Sequence, residues 1–99
     1  MSDDAIAGEP VLLTLFVAPA ESGSQVAIHN LKRCLERFTA NTFSLEIVDV
    51  FAAASRALRN RVLVTPTLLA PECARRVVGD LSEASRLDYF LDTLVPAAS

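Results

Sequence analysis

The chain has 99 residues, enough for one domain that buries roughly two-thirds of its unfolded surface. With 52% hydrophobic and 21% charged residues it predicts a packed core rather than disorder, and two cysteines do not make a disulfide scaffold. A net charge of −3 argues against nonspecific nucleic-acid binding, although Arg56, Arg59, Arg61, Arg75 and Arg76 all fall in the second half and leave room for a local basic patch.

Residues 1–9 are small or polar and are expected to be flexible. They lack the basic start and apolar core of a signal peptide, and no apolar run approaches the ~20 residues of a membrane span, so a cytoplasmic setting with reduced thiols and no membrane is expected. "VLLTLFVA" (11–18) is nearly continuous apolar sequence, the pattern of a strand covered on both faces. "PAESGSQ" reads as a loop. Ala27, Leu31, Cys34, Leu35 and Phe38 then recur at helical spacing opposite His29, Lys32, Arg33, Glu36 and Arg37, which predicts an amphipathic helix.

"TFSLEIVDVF" (42–51) alternates at Phe43, Leu45 and Ile47 and predicts a second strand; "AAASRALRN" (52–60) predicts a short helix. "TPTLLA" and "ARRVVG", joined by "PEC", predict a hairpin that Gly79 ends. Asp80 with Glu83, or Ser82 alone, could cap a last helix whose buried stripe is Ala84, Leu87, Leu91 and Leu94. The order β-α-β-α-β-β-α implies a parallel crossover followed by an antiparallel edge, which is the thioredoxin-like α/β arrangement. One domain is expected over 10–95, with 96–99 as a tail.

Few residues carry chemistry. Cys34 lies on the apolar stripe well inside its helix, whereas a redox thiolate belongs at a helix N-terminus, and no Cys-x-x-Cys occurs. Cys73 falls in the hairpin turn, as a surface thiol or a regulatory one. His29, the single histidine, sits on a polar helix face without a second ligand at zinc spacing. Asp49 either titrates abnormally within an apolar strand or lies at the strand's end, meeting water or capping the next helix. No glycine-rich phosphate loop occurs, so no cofactor or metal is expected. Pro66 leads the third strand at the position where a thioredoxin-like frame places a cis proline.

Taken together, "LTLFVA", Ser24 to Cys34 read as S-x-x-A-I-x-N-L-K-R-C, "LEIVDVF" (45–51), "VTPTL" (64–68) and "RRVVGDLS" (75–82) resemble the KaiB family of circadian-clock proteins and its clock-independent relatives. The resemblance spans roughly residues 11–95, and "TPTL" followed by "RR-apolar-apolar-GDLS" is its most specific part. It implies a non-enzymatic regulator that docks on KaiC, a ring-shaped ATPase of the RecA type; the same domain also occurs at the front of a sensor histidine kinase. It further implies a possible second, tetrameric fold, since family members can switch between two packings that differ by only a few kcal/mol. Departures from the clock proteins include "VAPAESG" for their "VAGNTP", Val26 for a basic residue, the shorter "LAPECA", and Phe90 for glycine. The last raises helix propensity and predicts the thioredoxin-like arrangement as the resting state.

Three functional classes are open to such a chain. An interaction module would use the hairpin, with Leu69, Pro71, Glu72, Arg75 and Arg76 as partner-binding residues toward a KaiC-type ATPase or a histidine kinase. A thiol-dependent enzyme would use Cys34 or Cys73. A self-associating protein would form dimers or tetramers through its sheet edges.

Overall fold

A computed structural model describes residues 9–95; the expected N-terminal segment to residue 8 and the tail at 96–99 lie outside the described residues. The elements are β1 (Val11–Val17), α1 (Ser22–Leu35), β2 (Phe43–Asp49), α2 (Ala54–Arg59), β3 (Thr67–Ala70), β4 (Arg75–Val78) and α3 (Ala84–Leu94). The order is the thioredoxin-like one that the apolar periods imply. The sheet runs β2-β1-β3-β4, with β1 parallel to β2 and both β1–β3 and β3–β4 antiparallel. Leu15 stands between Ile47 and Leu68 in that register, so the most continuous apolar run occupies the sheet's centre.

Alternation along each strand then sorts side chains to two faces. Leu13, Leu15, Val17, Leu68, Ala70 and Val77 meet Ala27 and Leu31 of α1 and Leu87, Phe90 and Leu91 of α3. Phe16, Val48 and Leu69 point the other way and meet Ala57 of α2. No side-chain nitrogen or oxygen buried among the described residues lacks a hydrogen-bond partner.

The helix α1 begins earlier than the loop-like "PAESGSQ" predicts, because its polar residues satisfy the first turn. The Ala18 amide donates to Ser24 Oγ at 3.0 Å, the Ser24 hydroxyl donates to Glu21 Oε1, and the Ser24 and Gln25 amides reach the Glu21 carbonyl. The regular helix also stops at Leu35, short of Phe38. A tighter last turn, in which Phe38 N–H donates to the Leu35 carbonyl, still brings Phe38 onto the core, edge-on to Phe43 at 5.0 Å.

The capping roles expected of Asp80 and Ser82 are not found. The residue before α3 is Glu83, which makes no side-chain cap bond. Asp80 spends its carboxylate on the Ser82 amide at 3.0 Å, two residues too early to serve the helix. That interaction is a turn contact, and together with the Ser82 hydroxyl it holds the Asp80 carboxyl below its ordinary range. The turn has a purpose in the core: Gly79 takes φ +115°, Leu81 takes φ +62°, and Leu81 is thereby buried in the main cluster. In the stripe of α3 the exposed residue is Ala84, and Phe90 takes a buried place instead, 5% exposed.

Candidate interaction site

In a thioredoxin-like frame the reactive position lies where the N-terminus of α1 meets the loop before β3. Here the Thr65–Pro66 peptide bond is cis, as the sequence predicts. Gly23 faces Pro66, with 3.9 Å between the Pro66 Cδ and the place a Cβ would occupy. Glu21 Oε1 accepts from both Ser24 Oγ at 3.1 Å and Thr65 Oγ1 at 2.9 Å, linking the helix start to the proline loop. The position therefore carries a carboxylate and two hydroxyls joined by hydrogen bonds, and no thiol.

The two cysteines are both free, one half-buried within α1 and the other exposed in the hairpin turn. Burial pushes the Cys34 thiol above its usual range, and the nearby Asp88 carboxylate adds to that rise. A raised thiol is the protonated, unreactive form, so Cys34 fits the structural reading. Cys73 Sγ lies 3.8 Å from the Ala70 carbonyl within its own turn. Asp49 resolves in favour of the strand-end reading: its Oδ1 accepts the Phe51 amide at 2.8 Å and turns the chain out of β2. His29 is exposed on α1, and among the described residues no group of histidine, cysteine and carboxylate side chains is placed to hold a metal.

Surface features concentrate on the β3–β4 hairpin and on the segment before it. The tip, 71–74, is exposed, and Ala74 adopts φ +56° to close the turn. Pro71 and Glu72 project there. Leu69 does not project with them: it is 3% exposed and packed with Phe16, Val48 and Ala57, because the pleat turns it toward the α2 side two residues before the tip. The two arginines of β4 diverge for the same reason. Arg75 lies on the α1/α3 side, its guanidinium carbon 6.0 Å from the Phe90 ring centroid. Arg76 lies on the α2 side and donates to the carbonyls of Arg61 at 3.0 Å and Asn60 at 2.7 Å. It thus satisfies carbonyls at the C-terminal end of α2, where the helix dipole favours a cation.

Arg76, Pro71 and the buried Leu69 join Arg59, Asn60, Arg61 and Ala74 around a hollow of about 180 Å³. The sequence reading of the hairpin missed Arg59 and Arg61 as part of this surface. The clustering of arginines in the second half of the chain was the signal that could have found them. A second groove of about 350 Å³ runs between α1 and α3, lined by Asn30, Arg33, Cys34, Arg37, Leu81 and Asp88 among others. Arg37 bridges it through Asp88 at 3.0 Å and Asp92 at 3.6 Å. None of the described helices is long and apolar enough to cross a membrane.

Comparison with known proteins agrees with this architecture. Residues 14–93 match the KaiB domain. The chain is 33% identical over 91 residues to the circadian clock oscillator protein KaiB of Prochlorococcus marinus subsp. pastoris, covering 90% of this chain and 85% of that one. It is 34% identical over 85 residues to the circadian clock oscillator protein KaiB of Nostoc punctiforme, covering 84% and 82% of the two chains. Among solved structures, the N-terminal domain of Synechococcus elongatus SasA superposes with a TM-score of 0.72 at 25% identity, over 87% of this chain and 83% of that one. With the strand order, the cis-proline loop and the sequence match in accord, the chain belongs to the KaiB family.

Proposed function

We propose that this chain is a non-enzymatic regulator of the KaiB type, acting in circadian or related timing and stress signalling by docking on a KaiC-type ring ATPase. The contact surface in this reading is the hairpin, through Pro71, Glu72, Arg75 and Arg76. The observation that supports it most is the contrast between two places in one frame. The thioredoxin-type reactive position is filled by the Glu21–Ser24–Thr65 network, while the hairpin beyond it presents exposed charge and a proline. Leu69, almost fully buried, contributes to this reading only from beneath, where it lines the hollow beside Pro71 and Arg76.

The test is co-elution with the KaiC-type ATPase of the same organism, in ATP and then in ADP, measured by light scattering. A complex weakened by Arg75→Ala and by Glu72→Lys supports the proposal. These two are cleaner than Arg76→Ala, which also frees the end of α2. Absence of a complex in both nucleotides overturns the ring-ATPase reading. A second reading, a module acting with a sensor histidine kinase, is favoured by the likeness to the SasA N-terminal domain. Its test is the same co-elution against that kinase.

A further inference from the structure

Residues 50–79 carry five arginines against one carboxylate, Glu72, whereas the rest of the chain carries eleven carboxylates against four basic residues. The hollow at the end of α2 gathers three arginines of that positive segment, and among the described residues no carboxylate lines it. Among the described residues Arg56 is paired with Glu46, and Arg76 is engaged with backbone carbonyls. Arg59 and Arg61 form no ion pair there.

The same segment exposes large apolar side chains. Leu58, Leu63 and Val64 are 71%, 86% and 53% exposed, and they flank Arg59 and Arg61 along the chain. A single exposed leucine needs no explanation. Three apolar side chains within one short segment, interleaved with arginines that form no ion pair among the described residues, combine anchors for affinity with charges that set orientation and sign.

We infer that this α2–β3 face docks an acidic, amphipathic segment of a partner protein. Its carboxylates sit in the Arg59–Arg61–Arg76 hollow and its apolar side chains lie on Leu58, Leu63 and Val64. Arginine suits that task because its planar fork holds a carboxylate through two hydrogen bonds at once. The inference rests on reading the chain as an interaction module, but it names a surface other than the hairpin tip and requires no ring ATPase.

The probe is a labelled peptide of about four helical turns with Glu and Leu at alternating faces, alongside the same peptide with Gln for Glu. Fluorescence anisotropy on the intact chain is expected to show the Glu peptide binding about tenfold more tightly than the Gln peptide at low salt, with the gap closing as salt rises. The Arg59→Gln, Arg61→Gln double variant and the Leu58→Ser, Leu63→Ser double variant each lower that affinity about tenfold while the melting temperature stays unchanged. Equal binding of the two peptides, or an undiminished double-arginine variant, overturns the inference. So does self-association of the chain that the arginine variants abolish and that competes with the peptide, because it makes a second copy the occupant. Peptide binding without co-elution with the ring ATPase sinks the ring-ATPase reading alone; co-elution without peptide binding sinks this inference alone.

Discussion

On the face shared by α1 and α3, twelve buried residues form one cluster, with Leu15, Leu31, Leu68, Leu87 and Leu91 fully enclosed. On the opposite face, among the described residues, only Phe16, Val48, Ala57 and Leu69 are buried together, beneath a six-residue helix. A helix that short has little stability of its own. It is held to the sheet by arginines from both sides. Arg56 of α2 makes a two-pronged pair with Glu46 of β2, one bond at 2.7 Å, and Arg76 of β4 ties down the carbonyls after the helix. One face is thus built from apolar area and the other from a small core with polar straps. The difference teaches where a partner can act at low cost: a face held by exposed hydrogen bonds can present its charges, or give way locally, without opening the main core.

The sharpest way to break this comparison is to weaken each core separately. Leu91→Ala on the large face is expected to cost about 3–4 kcal/mol, from lost burial plus an unfilled cavity. Leu69→Ala on the small face should cost about 2 kcal/mol, near the low end for such changes, because a thin cover can settle into the space. Urea unfolding measures both. Equal losses would mean that the two faces are packed alike.

Arg76→Ala comes next, at about 1 kcal/mol for two partly solvated charge-assisted bonds. Its mark is local: hydrogen exchange should quicken for the amides of residues 57–64 and stay unchanged in α1 and α3. Uniform acceleration would refute the idea of a strap.

The thiols probe the same contrast chemically. Because burial and Asp88 raise Cys34, a maleimide at neutral pH should modify Cys73 first and leave Cys34 protected until the chain unfolds. The sign for stability is set by the same shift: the neutral thiol is the favoured native form, so this contribution holds at neutral pH and is lost as pH rises through the raised value. Peptide mass mapping over time reads the order of reaction.

The smallest effect belongs to the Glu46–Arg56 strap. The Arg56 hydrogen bonds hold the Glu46 carboxyl below its ordinary range. That contribution is present above the usual carboxylate range and is lost as pH falls through the lowered value. Glu46→Gln should therefore flatten the acid limb of the stability profile slightly and leave neutral stability almost unchanged, as expected for an exposed pair.

Much of the fold was legible from periodicity. The apolar run at 11–18, the helical spacing through Leu31 and Cys34 and the paired runs around "PEC" all correspond to elements of the structure. Boundaries were less legible where polar residues do backbone work. Ser24 reads as loop chemistry, yet it is fully buried and organises the first turn of α1. Asp80 and Ser82 read as caps, yet they build a separate turn that seats Leu81. The same side-chain groups can satisfy a helix end or a turn, and local sequence does not say which amide will lie within reach.

The interaction surface divides along the same line. The order of residues alone puts six of the eight arginines in the second half and leaves the chain's start acidic. The pleat of β4 sends Arg75 toward Phe90 and Arg76 toward the end of α2, and the pleat of β3 buries Leu69. Which residues are apolar, and at what period, is written in the chain, because each element's own geometry reads it. Which arginine becomes a strap and which remains open to a partner depends on contacts between residues distant in sequence, and those exist only once the sheet has paired.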